Sequence, residues 1–198
     1  MTKLQKTAQL GRNRRAMGWK LKKTVVLVGM MGAGKTAVGK ALATRLNVSF
    51  LDSDAEIEKA AARTIPEIFA RDGEEFFRLK ESQIIERLLE GANGILSTGG
   101  GAFLAARNRE AISARGVAVW LDADLPLLWQ RVRHKESRPL LRTADPLSTL
   151  TALYEARVDI YALADLRVKV DPVASIEETA AQVLEVLLTR PDVLEQSQ

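Results

Sequence analysis

The sequence predicts an α/β protein in which a parallel sheet is covered by helices on both faces. Short apolar runs alternate with longer amphipathic segments from Thr24 onward, a pattern typical of β-strands joined by helical crossovers. With 198 residues, the chain is long enough for one domain with a substantial core. Each motif rich in glycine or aspartate begins where an apolar run ends, and such sheets bind ligands at the carboxyl ends of their strands.

Five apolar runs are predicted to be strands: residues 25–29, 48–52, 94–98, 117–122 and 166–171. Six segments have helical character: residues 34–46, 74–90, 104–114, 125–134, 148–164 and 175–189. Ser175 and Glu178 are spaced as a capping box, which indicates that the last helix begins there.

Two stretches do not fit simple crossovers between strands. Residues 53–90 contain two or three helical pieces, with breaks near residues 64–66 and 72–73. Residues 135–147 are polar, basic and interrupted by proline, which favours a lid or mobile loop. We therefore expect one domain over residues 24–190 that carries an additional helical part over residues 53–90 and a short lid over residues 135–147.

The net charge of +4 comes from the N-terminus of the chain. Residues 1–23 contain eight basic side chains and no acidic one, which leaves 21 basic against 25 acidic residues in the remainder. A remainder of net negative charge lacks the basic surface of nucleic-acid-binding proteins. We expect residues 1–23 to be a disordered basic extension, rather than a targeting segment, and residues 191–198 to be a short tail.

The residue types that are absent or rare exclude several chemistries. The chain has no cysteine and a single histidine, His134, which excludes disulfides, thiolate nucleophiles, histidine metal clusters and Ser–His–Asp triads. No apolar run approaches the length of a membrane span. We expect a cytoplasmic monomer that binds small molecules and neither nucleic acid nor membranes.

The first chemical motif is GMMGAGKT, residues 29–36, which matches G-x-x-x-x-G-K-[ST] between a strand and a helix. The glycines allow backbone amides to converge on phosphate oxygens, and the helix N-terminus adds partial positive charge. Lys35 can reach the β- and γ-phosphates, and the Thr36 hydroxyl suits Mg²⁺. This motif predicts a nucleoside triphosphate site.

The second motif is LDSD, in which Asp52 and Asp54 follow the second apolar run. Alternate residues of an extended segment point the same way, so both carboxylates could face one cleft. One would support Mg²⁺ while the other orients or deprotonates an acceptor hydroxyl. Alternatively, Asp52 only ends the strand and Asp54 caps the following helix.

Arginines form two further groups. Arg78 and Glu81 are three residues apart on a predicted helix. They either form a surface ion pair, or Glu81 positions the Arg78 guanidinium to bind a substrate carboxylate. A second set lies in the last third of the chain: Arg131, Arg133, Arg138, Arg142 and Arg157. Within the lid-like stretch, Arg138 is the best candidate to close over a triphosphate.

A second glycine cluster, Gly99, Gly100 and Gly101, follows the third apolar run. One glycine suffices for a tight turn, so three in a row indicate close approach of the backbone to a ligand.

Taken in order and spacing over residues 24–188, these motifs resemble the shikimate kinase family of small P-loop kinases. The resemblance rests on GMMGAGKT, LDSD, the FFR…E helix, the triple glycine, RPLL, and Arg157 followed by Tyr161. It implies a three-layer fold with a five-stranded parallel sheet whose central strand leads into the P-loop, together with a short lid and substrate-binding helices over about residues 53–90. It also implies transfer of the ATP γ-phosphoryl group to the 3-hydroxyl of shikimate, with Mg²⁺, in aromatic amino-acid biosynthesis.

The resemblance assigns the ATP contacts to Gly32, Ala33, Gly34, Lys35, Thr36, Ala37, Arg131 and Arg138. Lys35 and Arg138 would also stabilise the transferring phosphoryl group, and Arg131 would lie against adenine. Thr36 would ligate Mg²⁺, and Asp52 would support the metal through water.

The acceptor contacts implied by the resemblance are Asp54, Arg78, Gly99, Gly100, Gly101 and Arg157. Asp54 would hold the shikimate hydroxyls and act as the base. Arg78 and Arg157 would clasp the carboxylate, with Glu81 orienting Arg78, and the Gly100 amide would donate to the substrate.

Two alternatives share the P-loop. Another small-molecule kinase, such as a gluconate kinase, need not pair Arg78 with Arg157. A non-catalytic nucleotide-dependent switch would leave Asp54 and Arg78 without a task, and the sequence has no N-K-x-D guanine signature. The short lid disfavours nucleoside monophosphate kinases with large insert domains.

Overall fold

A computed structural model describes residues 18–134, 139–141 and 143–197. Its strands are β1 (Gly18–Leu21), β2 (Thr24–Val28), β3 (Phe50–Asp52), β4 (Ile95–Ser97), β5 (Gly116–Asp122), β6 (Leu166–Lys169) and β7 (Leu194–Ser197). Its helices are α1 (Lys35–Leu46), α2 (Ser53–Ala61), α3 (Ile65–Leu89), α4 (Ala106–Arg115), α5 (Leu125–Val132), α6 (Pro146–Tyr161) and α7 (Ile176–Leu188). Two short 3₁₀ turns occupy Ala102–Leu104 and Pro139–Leu141.

Five strands form a parallel sheet in the order β3-β4-β2-β5-β6, which confirms the predicted α/β class and the central position of the strand before the P-loop. Val25 of β2 pairs with Ile95 on one side and with Val117 on the other. Every residue of β2 and β5 is buried, because parallel strands with helices on both faces have no face in water. The carboxyl ends of all five strands consequently meet at one edge.

The helical region between β3 and β4 is divided where the sequence predicts. Thr64 caps α3 and exchanges hydrogen bonds with Glu67 in a capping box. Within α3, Gly73 has φ 83° and ψ 173°, so the helix is kinked at the predicted break. A small separate core of Ile57, Phe77 and their neighbours packs α2 against α3. Helices α2 and α3 therefore lie beside the edge of the sheet at which the strand carboxyl ends meet.

The expected tails are wrong for the residues that the structure describes at both ends. β1 and β7 pair in an antiparallel ribbon, so residues 18–21 and 194–197 belong to the folded domain. Lys22 and Lys23 form 2.9 Å ion pairs with Glu195 and Asp192. The carboxylates of Glu195 and Asp192 therefore balance the charges of Lys22 and Lys23, which have no acidic residue near them in the sequence. Residues 1–17 lie outside the described residues, and the expectation of a disordered extension there stays a prediction.

This terminal ribbon is expected to contribute to stability. Leu194 is 2% exposed and packs in the main core. Leu194→Ala should therefore lower the free energy of unfolding by about 2–4 kcal/mol, measured by urea denaturation. Leu188→Ala, at a side chain 44% exposed, is the control and should cost well under about 1 kcal/mol. Equal losses in the two variants would mean that the ribbon does not pack as described.

Candidate active site

The P-loop joins β2 to α1 at the carboxyl edge of the sheet. Gly32 has φ 84°, and a Cβ there would lie 2.7 Å from Cγ1 of Val132, so this turn requires glycine. Lys35 opens α1 with a buried side chain whose Nζ donates to the carbonyls of Gly29 (2.7 Å) and Met30 (3.0 Å). The strand–loop–helix context that a phosphate-binding motif needs is therefore present.

Oxygen atoms from three elements meet beside the P-loop. The Thr36 hydroxyl donates to Oδ2 of Asp52 at 2.9 Å and lies 3.3 Å from the Ser97 hydroxyl. The other oxygen of Asp52 accepts from the backbone N–H of Asp54 at 3.1 Å, so Asp52 is the N-cap of α2. Of the two alternatives for the aspartate pair, helix capping therefore belongs to Asp52 and not to Asp54.

Two cavities open at this edge of the sheet and share one wall. The first, of about 390 Å³, is lined by the P-loop, Arg131 and residues after β6. The second, of about 690 Å³, lies between α3, the triple glycine and α6. Both cavities are lined by Met31, Asp54, Gly99 and Gly100. A group held at this shared wall can contact ligands on both sides.

Two arginines line the second cavity. Arg78 donates from Nη1 to Oε2 of Glu81 (2.8 Å) and from Nη2 to Oε1 of Glu74 (3.1 Å). Arg157, from α6, is buried, and its Nη1 has no hydrogen-bond partner among the described residues. Two guanidinium groups on the wall of one cavity suit a carboxylate, which they can bind through charge-assisted hydrogen bonds.

The acid that holds Arg78 is itself buried. Glu81 is 1% exposed, and burial raises its pKa, although the Arg78 guanidinium opposes that shift. Burial lowers the pKa of Arg78, but Glu81 and Glu74 together raise it above its usual value. The Glu81 carboxylate therefore fixes the Arg78 fork in one orientation.

The triple glycine brings the backbone close to these side chains. A Cβ on Gly101 would lie 2.5 Å from both terminal nitrogens of Arg78, and one on Gly99 would lie 2.6 Å from Oδ1 of Asp54. The glycines therefore admit protein side chains as well as a ligand. The N–H groups of Gly100 and Gly101 have no hydrogen-bond partner among residues 18–134, 139–141 and 143–197.

The structure brings most of the predicted residues together. The first cavity is lined by Gly32, Ala33, Gly34, Lys35, Thr36, Ala37, Asp52 and Arg131. Arg131 donates from Nη1 to the carbonyls of Gly32 (3.2 Å) and Ala33 (3.3 Å), and burial lowers its pKa. Arg138 lies outside the described residues, so its place over the triphosphate stays a prediction.

Sequence reasoning missed several lining residues. After β6, the first cavity is bounded by Val170, Ala174, Ser175, Ile176 and Thr179. The rule that ligands bind beyond the carboxyl ends of strands applies to β6 too, but the only motif recognised after it was a helix-capping box, which does not indicate a ligand. Glu58 and the aromatic side chains of Phe69 and Phe77 in the second cavity were likewise missed.

Comparison with known proteins identifies the family. A family model described as shikimate kinase matches residues 31–188. The chain belongs to the shikimate kinase family. A shikimate kinase from Ruegeria pomeroyi is 68% identical over 177 residues, which cover 89% of this chain and 91% of that protein. The chain is accordingly a kinase.

Solved structures of shikimate kinases agree in fold. A shikimate kinase from Acinetobacter baumannii, in complex with shikimate, matches with a TM-score of 0.81 and 38% identity over 84% of this chain and 93% of its own. A gluconokinase from Sinorhizobium meliloti matches with a TM-score of 0.57 at 17% identity, over 86% of this chain and 94% of its own, and shares the fold alone. Among the described residues, no helix is long and apolar enough to cross a membrane.

Proposed function

We propose that this chain transfers the γ-phosphoryl group of ATP to the 3-hydroxyl of shikimate, giving shikimate 3-phosphate and ADP. The observation that carries the proposal is the pair of cavities that share the wall at Asp54. One contains a phosphate-binding loop, and the other presents two arginines suited to a carboxylate. The Acinetobacter baumannii relative, whose structure contains shikimate, supports the choice of acceptor.

The first cavity is proposed to hold ATP. Backbone N–H groups of the P-loop and the N-terminus of α1 would bind the phosphate oxygens. Lys35 would stabilise the negative charge on the transferring phosphoryl group. Arg131, braced against two P-loop carbonyls, would lie against adenine together with the residues after β6. Arg138 would close over the triphosphate from the lid and exclude water.

The first cavity is also proposed to hold Mg²⁺. The Thr36 hydroxyl and Asp52 carboxylate, 2.9 Å apart, offer the hard oxygen donors that Mg²⁺ prefers. Within the described residues, no group of three or more acidic, histidine or cysteine side chains could hold a metal. When bound, Mg²⁺ would neutralise charge that develops on the β- and γ-phosphates.

The second cavity is proposed to hold shikimate. Arg78 and Arg157 would bind the substrate carboxylate, with Arg78 oriented by Glu81. The Gly100 N–H would donate to a substrate oxygen. Asp54 would accept a hydrogen bond from the reacting hydroxyl, and its carboxylate would take the proton as the bond to phosphorus forms.

A comparison of acceptors tests this proposal. The purified chain with ATP and Mg²⁺ should produce ADP when shikimate is added, and at most a background rate with gluconate. ADP production that depends on gluconate would assign the chain to another small-molecule kinase. Nucleotide binding without acceptor-dependent turnover would favour a switch.

We propose that one chain supplies the residues that bind both substrates. We also propose a cytoplasmic monomer, and analytical ultracentrifugation at assay concentration would check the oligomeric state. If the chain forms a dimer but keeps its activity when diluted to monomer, each chain carries a complete substrate site.

The close approach of Gly101 to Arg78 makes a separate prediction. Gly101→Ala should displace the guanidinium and raise the KM for shikimate about ten- to a hundredfold, with the KM for ATP within about twofold of its original value. Steady-state kinetics with each substrate varied in turn measure both effects. Gly91→Ala is the control, since its Cβ would make only an ordinary 3.4 Å contact with the Leu88 carbonyl. An unchanged shikimate KM in Gly101→Ala would show that the contact is not needed.

A further inference from the structure

The backbone that follows β4 is held from outside the two cavities. The Thr98 N–H donates to the Leu27 carbonyl (3.3 Å), and the Gly99 N–H donates to the Ser53 hydroxyl (3.2 Å). The Gly99 and Gly101 carbonyls accept local bonds from the N–H groups of Ala102 and Leu104. The carbonyls of residues 100, 102, 103 and 104 accept hydrogen bonds from side chains of α4 and α6.

Three side chains supply those bonds. The Tyr161 hydroxyl donates to the Gly100 carbonyl. Asn108 donates from Nδ2 to the carbonyl of residue 102 at 2.8 Å. Arg109 donates from Nη1 to the carbonyls of residues 103 (2.8 Å) and 104 (2.7 Å). The three side chains do not belong to the linings of the two cavities, so their contacts are with the protein and not with a ligand. The Tyr161 hydroxyl also interacts with the Arg157 side chain.

The Tyr161 bond has a direct consequence for the next amide. A trans peptide is planar, with its C=O and N–H pointing in opposite directions, and the described chain has no cis peptide. When the Gly100 carbonyl is turned to Tyr161, the Gly101 N–H points away from Tyr161. Gly101 lines the second cavity, where the Arg78 guanidinium packs against it.

We propose that Tyr161 and Arg109 are positioning residues for acceptor binding, which hold the triple glycine so that the Gly100 and Gly101 N–H groups and Arg78 face the acceptor. This inference rests on the proposed function. Tyr161 is buried, and burial raises its pKa to about 12, so its hydroxyl keeps the proton that it donates at any ordinary assay pH. Asn108 supports the same backbone from the start of α4.

If Tyr161 and Arg109 only stabilised the fold, their substitution would change the KM values for ATP and shikimate alike. Loss of general packing lowers stability and affects the ATP and acceptor sites together, whereas a displaced triple glycine affects the second cavity first. Tyr161→Phe removes only the hydroxyl and keeps the ring that stacks near Trp120. Arg109→Met removes the guanidinium and keeps most of the aliphatic stem.

Steady-state kinetics of the full chain test the inference. Tyr161→Phe and Arg109→Met should each raise the KM for shikimate about fivefold, with the KM for ATP within about twofold. Arg109→Lys, which retains a donor, should recover part of the loss. Arg107→Met is the matched control: Arg107 lies two residues away on the same helix but pairs with exposed Glu86, so both KM values should stay unchanged.

The outcomes separate this inference from the proposed function. If the unmodified chain has no shikimate-dependent turnover, the proposed function fails. If the unmodified chain turns over and both variants keep its shikimate KM, or raise both KM values equally, the positioning role is overturned. Should Tyr161→Phe not fold, the comparison of Arg109→Met with Arg107→Met decides the question alone.

Discussion

Substituting Asp54 by asparagine is expected to lower kcat by about 10²–10⁴-fold while the KM for ATP changes little. Asparagine has the shape of aspartate but cannot take a proton from the acceptor hydroxyl. Asp54 lies on the wall shared by the two cavities, where the phosphoryl group would pass from ATP to shikimate. Steady-state assays of ADP release, with ATP affinity checked by equilibrium binding, measure both quantities.

Glu58→Gln is the matched control for this variant. Glu58 also lines the second cavity, but its Oε1 accepts from the Ile65 N–H at 2.9 Å, a bond that a glutamine oxygen can retain. Its kcat should stay within about threefold of the unmodified chain. Near-normal turnover in Asp54→Asn would remove Asp54 from the chemical step.

Removing the guanidinium of Arg78 is expected to weaken acceptor binding more than any other single truncation in the second cavity. Arg78→Ala should cost about 2–5 kcal/mol of shikimate binding, which corresponds to a loss of about thirtyfold or more. The variant removes one carboxylate partner and leaves Glu81 buried without its cation. Because Arg78 opposes the rise in the pKa of Glu81, that pKa should increase further.

Isothermal titration with shikimate measures this loss directly, and the nucleotide affinity should be retained. Arg71→Ala is the control, since Arg71 lies on the same helix and pairs with neighbouring Asp72. Shikimate binding that is equally weak in the two variants would indicate a general effect of helix charge. Unchanged binding in Arg78→Ala would exclude Arg78 as a carboxylate ligand.

The parallel sheet and the P-loop could be predicted from the sequence because their signals are local. Strand β5 is a continuous apolar run, and residues 29–36 carry a motif that needs only its own strand and helix. The pairing of β1 with β7 could not be predicted in this way, because it joins segments at opposite ends of the chain. Lys22 and Lys23 appear as an uncompensated basic tail until the fold brings Glu195 and Asp192 to them.

In the candidate site, too, local features could be predicted from the sequence and contacts between distant residues could not. Arg78 and Glu81 are one turn apart, so their pairing follows from helix geometry. The sequence left open whether the two aspartates face a cleft or serve only as strand end and helix cap. In the structure Asp52 is the N-cap of α2, and Asp54 lines both cavities. The bond from Tyr161 to Gly100 spans 61 residues and depends on how α6 packs, which no local spacing reveals.

Transfer of labelled phosphate tests the central claim most directly. The chain is incubated with Mg²⁺, shikimate and ATP labelled in the γ-phosphoryl group, and the products are separated and their phosphorylated position is determined. The account predicts that the label appears in shikimate 3-phosphate in amounts equal to the ADP formed. Label found in inorganic phosphate alone, or at another hydroxyl of shikimate, would contradict it.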